Sequence, residues 1–133
     1  MPLQDYFRVI SASNRVLHFE LKGFWNQDVV QNRGEEFVSA FKSAVDQMNG
    51  RFVALADASD FKPYTAEAKR LVGETMQYAR QKGLHKAVEV LPDAVSQLSV
   101  KEAASSTGKD DFRIVVNNVL DAKNKAQTLA KEL

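Results

Sequence analysis

The chain has 133 residues, no cysteine, and 18 Lys+Arg against 17 Asp+Glu, for a formal net charge of +1. The length suits one domain, 1–133, with its own core, and the lack of cysteine excludes disulfides, thiolate metal sites and cysteine nucleophiles. Balanced charge argues against a basic face gripping nucleic acid, and no apolar run reaches the ~20 residues of a membrane span.

The N-terminus lacks the basic start and apolar stretch of a signal peptide, so a cytoplasmic location is expected. The first strand is expected over Tyr6 to Ser11, with Phe7 and Val9 on one face and Tyr6, Arg8 and Ile10 on the other. A turn at Ala12-Ser13-Asn14 leads into a second strand, Arg15 to Lys22. There Leu17, Phe19 and Leu21 share one face, and Val16, His18 and Glu20 the other. The period then becomes helical from Gln27 to Asn49, with Val30, Phe37, Phe41, Ala44, Val45 and Met48 as the apolar stripe. Asn26 is the expected N-cap and Asn49-Gly50 the stop. Gly34 falls on the stripe, where a second helix would approach closely.

Phe52-Val53-Ala54-Leu55-Ala56-Asp57 is a nearly continuous apolar run, as expected of a strand covered on both faces. A loop from Asp57 to Thr65 follows. Thr65 is the expected N-cap of a helix with Ala68, Leu71, Val72, Thr75, Met76 and Ala79 buried and Gly83 as its end. A fourth strand spans Lys86 to Leu91 and breaks at Pro92-Asp93. Ala94, Val95, Leu98 and Ala103 suggest a short third helix. Phe112 to Val116 is the fifth strand. Asn118 and Asp121 have the spacing of a capping box, and Val119, Ala122, Ala126, Leu129 and Leu133 make a terminal helical stripe. The expected fold class is α/β. An N-terminal β-hairpin leads into βα units, giving a mostly parallel five-stranded sheet with four helices and the first strand antiparallel at an edge.

The chemistry-bearing residues are sparse. The two histidines, His18 and His85, have no second ligand at metal spacing, so no metal site is expected. No glycine-rich phosphate loop and no Gly-x-Ser-x-Gly elbow occurs, so no cofactor and no catalytic residue is assigned. Asp57 and Ser59 read as side chains closing a turn at a strand exit.

In an open parallel sheet, ligands and partners gather at the carboxyl ends of the strands. That edge collects Gly23-Phe24-Trp25-Asn26, Asp57 to Thr65, Pro92-Asp93 and Asn117-Asn118. It holds the only Trp, with Phe61 and Tyr64. Such aromatics either form a binding surface or fold back over helix ends. If all helices lie on one side, the other side is lined by Tyr6, Arg8, Ile10, Val16, His18 and Glu20. That patch would suit a partner or a second copy.

The whole pattern resembles the SpoIIAA-like fold of the STAS superfamily, which includes anti-sigma factor antagonists. The hairpin followed by βα units carries the resemblance. Two segments add to it: Leu17-His18-Phe19-Glu20-Leu21-Lys22-Gly23, like the second strand and its closing glycine, and Phe52 to Ser59, like the central strand with its Asp-x-Ser exit. Phosphoregulated members carry Asp-Ser-Ser-Gly at the start of the following helix. Here that stretch is Pro63-Tyr64-Thr65-Ala66, so the standard phosphosite is missing and Thr65 is the candidate hydroxyl in its place. The resemblance implies a non-enzymatic regulatory module that binds a protein partner. Its candidate contact residues are Trp25, Asp57, Ser59, Phe61, Lys62, Tyr64, Thr65 and Lys69. The alternative is a carrier of a small apolar ligand or lipid, walled by Trp25, Phe37, Phe41 and Phe61.

Overall fold

A computed structural model describes residues 3–62, 65–91 and 112–133. After a 3-10 turn at Leu3–Asp5, the order is β1 (Phe7–Ser13), β2 (Val16–Phe24), α1 (Gln27–Met48), β3 (Phe52–Lys62), α2 (Ala66–Lys82), β4 (Leu84–Val90), β5 (Arg113–Val116) and α3 (Val119–Lys131). The five strands form one mixed sheet in the order β1-β2-β3-β4-β5. β1 runs antiparallel to β2, and the other three pairings are parallel. Three helices lie among the described residues. The helix expected at Ala94–Ala103 falls outside them, as do Pro92-Asp93 and Tyr64.

The hairpin turn is Asn14-Arg15, with φ of 54° and 63°, and Ser13 pairs with Val16. Two positive φ values match the twist of the flanking strands, the usual solution for a two-residue hairpin. The turn therefore sits one residue later than expected, because Arg15 joins Asn14 in the left-handed region. Val9 pairs with Phe19 and Ser11 with His18, so Ile10 is an unpaired extra residue in a β-bulge. The bulge breaks the strict alternation expected for this strand. Val9 is exposed instead of joining Phe7 in the core.

Two cores sandwich the sheet. On one face, which we call inner, α1 and α2 pack with Phe7, Leu17, Phe19, Leu21, Phe52, Ala54, Ala56 and Ala87. On the outer face, α3 places Ala122, Ala126 and Leu129 against Val53, Leu55, Val88 and Val90. The apolar run of β3 thus alternates between two buried faces, as a central strand of an α/β sheet should. Each helix starts on a side-chain cap. Asn26 accepts from the Val29 N–H (3.0 Å), Thr65 from Ala68 N–H (3.0 Å) and Asn118 from Asp121 N–H (2.8 Å). Asn118 Nδ2 also donates to Asp121 Oδ2 at 3.0 Å, tying the first turn from both sides. Gly34 lets α1 meet α2, since a Cβ there would sit 3.1 Å from Leu71 Cδ1.

Candidate functional site

The carboxyl end of the sheet differs from the sequence expectation in one main respect. Asp57 to Thr65 is not a long loop, because β3 continues to Lys62. Beyond Asp57 it pairs with β2 alone among the described residues: Lys22 with Asp60, Gly23 with Phe61 and Phe24 with Lys62. The polar stretch that suggested a loop instead accommodates a bulge. β2 advances two residues from Glu20 to Lys22 while β3 advances three, from Asp57 to Asp60. Asp57 Oδ1 holds this irregularity by accepting from Ser59 N–H (3.2 Å) and Ser59 Oγ–H (2.7 Å). The result is a two-stranded ribbon projecting past β4, which ends opposite Asp57.

The aromatic residues divide between interior and surface. Trp25 is 0% exposed. Its Nε1–H donates to the carbonyl of Lys22 at 2.9 Å. Its ring meets Phe37 edge-on at 5.0 Å, Phe61 at 5.7 Å and Tyr6 at 6.2 Å. Trp25 therefore belongs to the core, and half-buried Phe61 packs onto it. The physical reason is that Trp25 directly precedes the α1 cap, where its ring turns under the first helical turns while the indole N–H finds a nearby carbonyl. Phe37 and Phe41 interlock with Phe7 and Phe19, so the residues expected to wall a carrier cavity fill one another's space. Among the described residues, the exposed aromatic on this edge is Phe24, 47% exposed at the tip of the ribbon.

The remaining candidates lie at the start of α2. Thr65 is half-buried and engaged as the cap, and its carbonyl accepts from Lys69 N–H at 3.2 Å. Lys69 is exposed. The side chain of Lys62 lies outside the described residues, as does Tyr64. Three residue steps separate Lys62 from Thr65, so the ribbon tip and the α2 cap are at most ~11 Å apart along the chain. The structure thus gathers Phe24, Thr65 and Lys69 at one end. It pairs Asp57 with Ser59 and withdraws Trp25.

The helices do not all lie on one side. α3 occupies the outer face, and Tyr6 packs into the inner core. Among the described residues, what α3 leaves uncovered on the outer face is the hairpin strip. Arg8 and Glu20 are cross-strand partners there, joined at 2.7 Å. His18 lies beside them, buried, with its pKa held below the ordinary 6.5 by burial and then by Lys123, against the opposing pull of Asp57 and Glu20. A groove of about 530 Å3 runs between this strip and α3. A second concavity, about 360 Å3, lies between Tyr6 and the first turns of α1.

Sequence reading also missed an ion pair. Arg113 of β5 grips Glu89 of β4 through Nε (3.2 Å to both oxygens) and Nη2 (2.5 Å). Both side chains are largely buried. A Glu flanked by Val88 and Val90 in a strand, with an Arg opening the next, was the signal available. Among the described residues, no three His, Asp or Glu side chains come together as a metal-binding group, and no helix is long and apolar enough to cross a membrane. A scan against protein-family models gave no match, and a search of curated proteins found no significant relative.

Proposed function

We propose that the chain is a non-enzymatic regulatory module that binds a protein partner at the carboxyl end of its sheet, on a SpoIIAA-like frame of the STAS superfamily. The frame is supported by the hairpin leading into β3, β4 and β5, which add to the sheet in chain order. The observation that carries the binding reading is the projecting β2–β3 ribbon. It presents Phe24, 47% exposed, within a short reach of the Thr65 cap and the exposed Lys69. A large exposed apolar ring rimmed by polar groups is the composition of an interface centre. Beyond Asp57 the β3 edge of the ribbon pairs with no other described strand, and an extended segment of the partner could add there.

Binding in this reading is constitutive. Thr65 Oγ already accepts the Ala68 N–H, a sufficient structural role, and no Asp-Ser-Ser-Gly phosphosite surrounds it. The test is quantitative capture of native partners by wild type and by a Phe24→Asp, Lys69→Glu double variant. The reading expects the variant to lose a specific partner while keeping the wild-type melting temperature. Undiminished capture by a folded variant refutes it. Stoichiometric phosphate on Thr65 in protein from native cells would replace constitutive binding with a phosphoswitch.

A further inference from the structure

The outer face of the sheet is covered unevenly. α3 packs over β3 and β4, and the groove beside it, about 530 Å3, falls within the ~300–1,000 Å3 typical of small-molecule sites. Val16 and Leu55 form an apolar part of its lining, joined by Ile10, the extra residue of the β1 bulge, 42% exposed. Among the described residues, the charged ones lining it are Lys123 and Lys131, and no carboxylate does.

The neighbouring acids have other work. Glu20 is paired with Arg8, and Asp57 accepts twice from Ser59. The two lysines make no hydrogen bond or ion pair with a described residue. His18 also lines the groove. Its ring makes no hydrogen bond to a described residue, yet neither ring nitrogen is sealed from solvent without a partner. Both ring nitrogens therefore keep some contact with solvent, at a residue that lines the groove. Neutral imidazole has one N–H donor to offer there.

We infer that this groove binds a small amphiphilic carboxylate, with its apolar body on Ile10 and Val16, its negative charge on Lys123, and an N–H of His18 as a second donor. Three features favour this class. The apolar lining rewards a hydrocarbon body. Lys123, in no ion pair with a described residue, rewards an anion, against the negative charge of Asp57 and Glu20 that also reaches His18. Among the described residues two lysines line it, alongside apolar and uncharged polar side chains, too few cations to favour a polyanion such as nucleic acid. The site is separate from the carboxyl-end surface and does not depend on that reading.

Octanoate is the probe, with octanamide as its uncharged counterpart, and backbone amide NMR of the full chain locates each. The expected result is saturable octanoate binding, with shifts confined to residues 10–18, 55 and 123–131. Octanamide should bind about tenfold or more weaker, as should octanoate to Lys123→Gln, since a charge-assisted hydrogen bond contributes ~1.5–3 kcal/mol and each 1.4 kcal/mol is tenfold. Octanoate saturation should also raise the pKa of the His18 ring, because a nearby anion favours imidazolium. Equal binding of octanoate and octanamide overturns the proposal. So does the absence of shifts at millimolar octanoate, or a shift pattern centred on Trp25 and Phe61, which would point to the core instead. The octanoate–octanamide comparison uses the native chain, so it decides even if Lys123→Gln folds poorly.

Discussion

Trp25 is the residue at which a core reading and a surface reading diverge most, and Trp25→Phe separates them. The indole is 0% exposed, set edge-on between Phe37 and Phe61, with its Nε1–H on the Lys22 carbonyl. Phenylalanine keeps an aromatic edge for both neighbours but removes the N–H and part of the ring. Leaving a buried carbonyl short of a donor costs ~1–3 kcal/mol. A full Trp→Ala truncation costs ~3–5 kcal/mol, and the smaller void left by Phe accounts for roughly 1–2 kcal/mol of that scale. The sum is about 2–4 kcal/mol, a large share of a total stability of ~5–15 kcal/mol. At ~3–5 °C per kcal/mol for this chain length, the melting temperature should fall by roughly 6–20 °C. Trp25 is the only tryptophan, so wild-type fluorescence reports this ring alone. It should be blue-shifted and shielded from iodide. A loss under ~1 kcal/mol, or ready iodide quenching, would refute the core assignment.

Glu89→Gln should destabilise by ~3–5 kcal/mol in urea unfolding, because it strands the Arg113 guanidinium where the pair is now bidentate. A Glu89→Met, Arg113→Met double variant should cost clearly less than the single one, and a larger loss would contradict the argument. Gly73→Ala should stabilise by ~1 kcal/mol, since nothing lies within 4 Å of the added Cβ on this helix. Gly34→Ala should gain less or lose stability, because its Cβ must displace Leu71 Cδ1 from 3.1 Å; equal thermal shifts for the two would be the wrong result. The His18 ring should titrate below 6.5 by NMR. The folded chain then binds this proton less readily than the unfolded chain. The associated stability is complete above the unfolded value near 6.5 and is lost as pH falls through the lower folded value. His18→Gln should flatten that part of the acid limb. The part due to His85 should remain, since burial and Arg51 hold that ring below its ordinary value as well.

The elements with strong period and unambiguous punctuation were legible in the sequence. Helix α1 begins at Gln27 on its Asn26 cap, and α2 lies between Thr65 and Gly83, as the spacing of apolar residues and the cap chemistry required. The α1–α2 approach at Gly34 was readable for the same reason. Less legible were features in which one residue changes the register of its neighbours. The bulge at Ile10 shifts the register of β1 beyond Val9, and the Asp57–Ser59 irregularity lets a polar stretch remain a strand. Both are tertiary devices whose sequence looks like a turn or a plain alternation. Trp25 and Phe24 show the same difficulty at the candidate site. They are adjacent, both aromatic and both at a strand exit, yet one is sealed and the other is 47% exposed. Only the direction of chain entry into α1 distinguishes them. The groove was hidden because its two walls, the hairpin and α3, lie over a hundred residues apart, and no local motif joins Ile10 to Lys123.

Geometry explains why an open strip remains on the outer face. Five strands ~4.8 Å apart make a sheet roughly 19 Å across, and packed helices need ~8–10 Å each. On the inner face α1 and α2 together match that width. On the outer face α3 is the one helix among the described residues, so it spans about half. Its position follows from its apolar stripe, since Ala122 and Ala126 permit close approach to Val53, Leu55 and Val88, the most apolar part of the sheet. The half that no described helix covers is therefore the hairpin, and its outer residues are suited to exposure: Arg8 and Glu20 as a pair, and Ser11 and Ser13 beside them. His18 is the exception, a buried titratable ring at the boundary between covered and uncovered sheet. A polar group at such a boundary keeps one side in the core and one side toward whatever enters the groove.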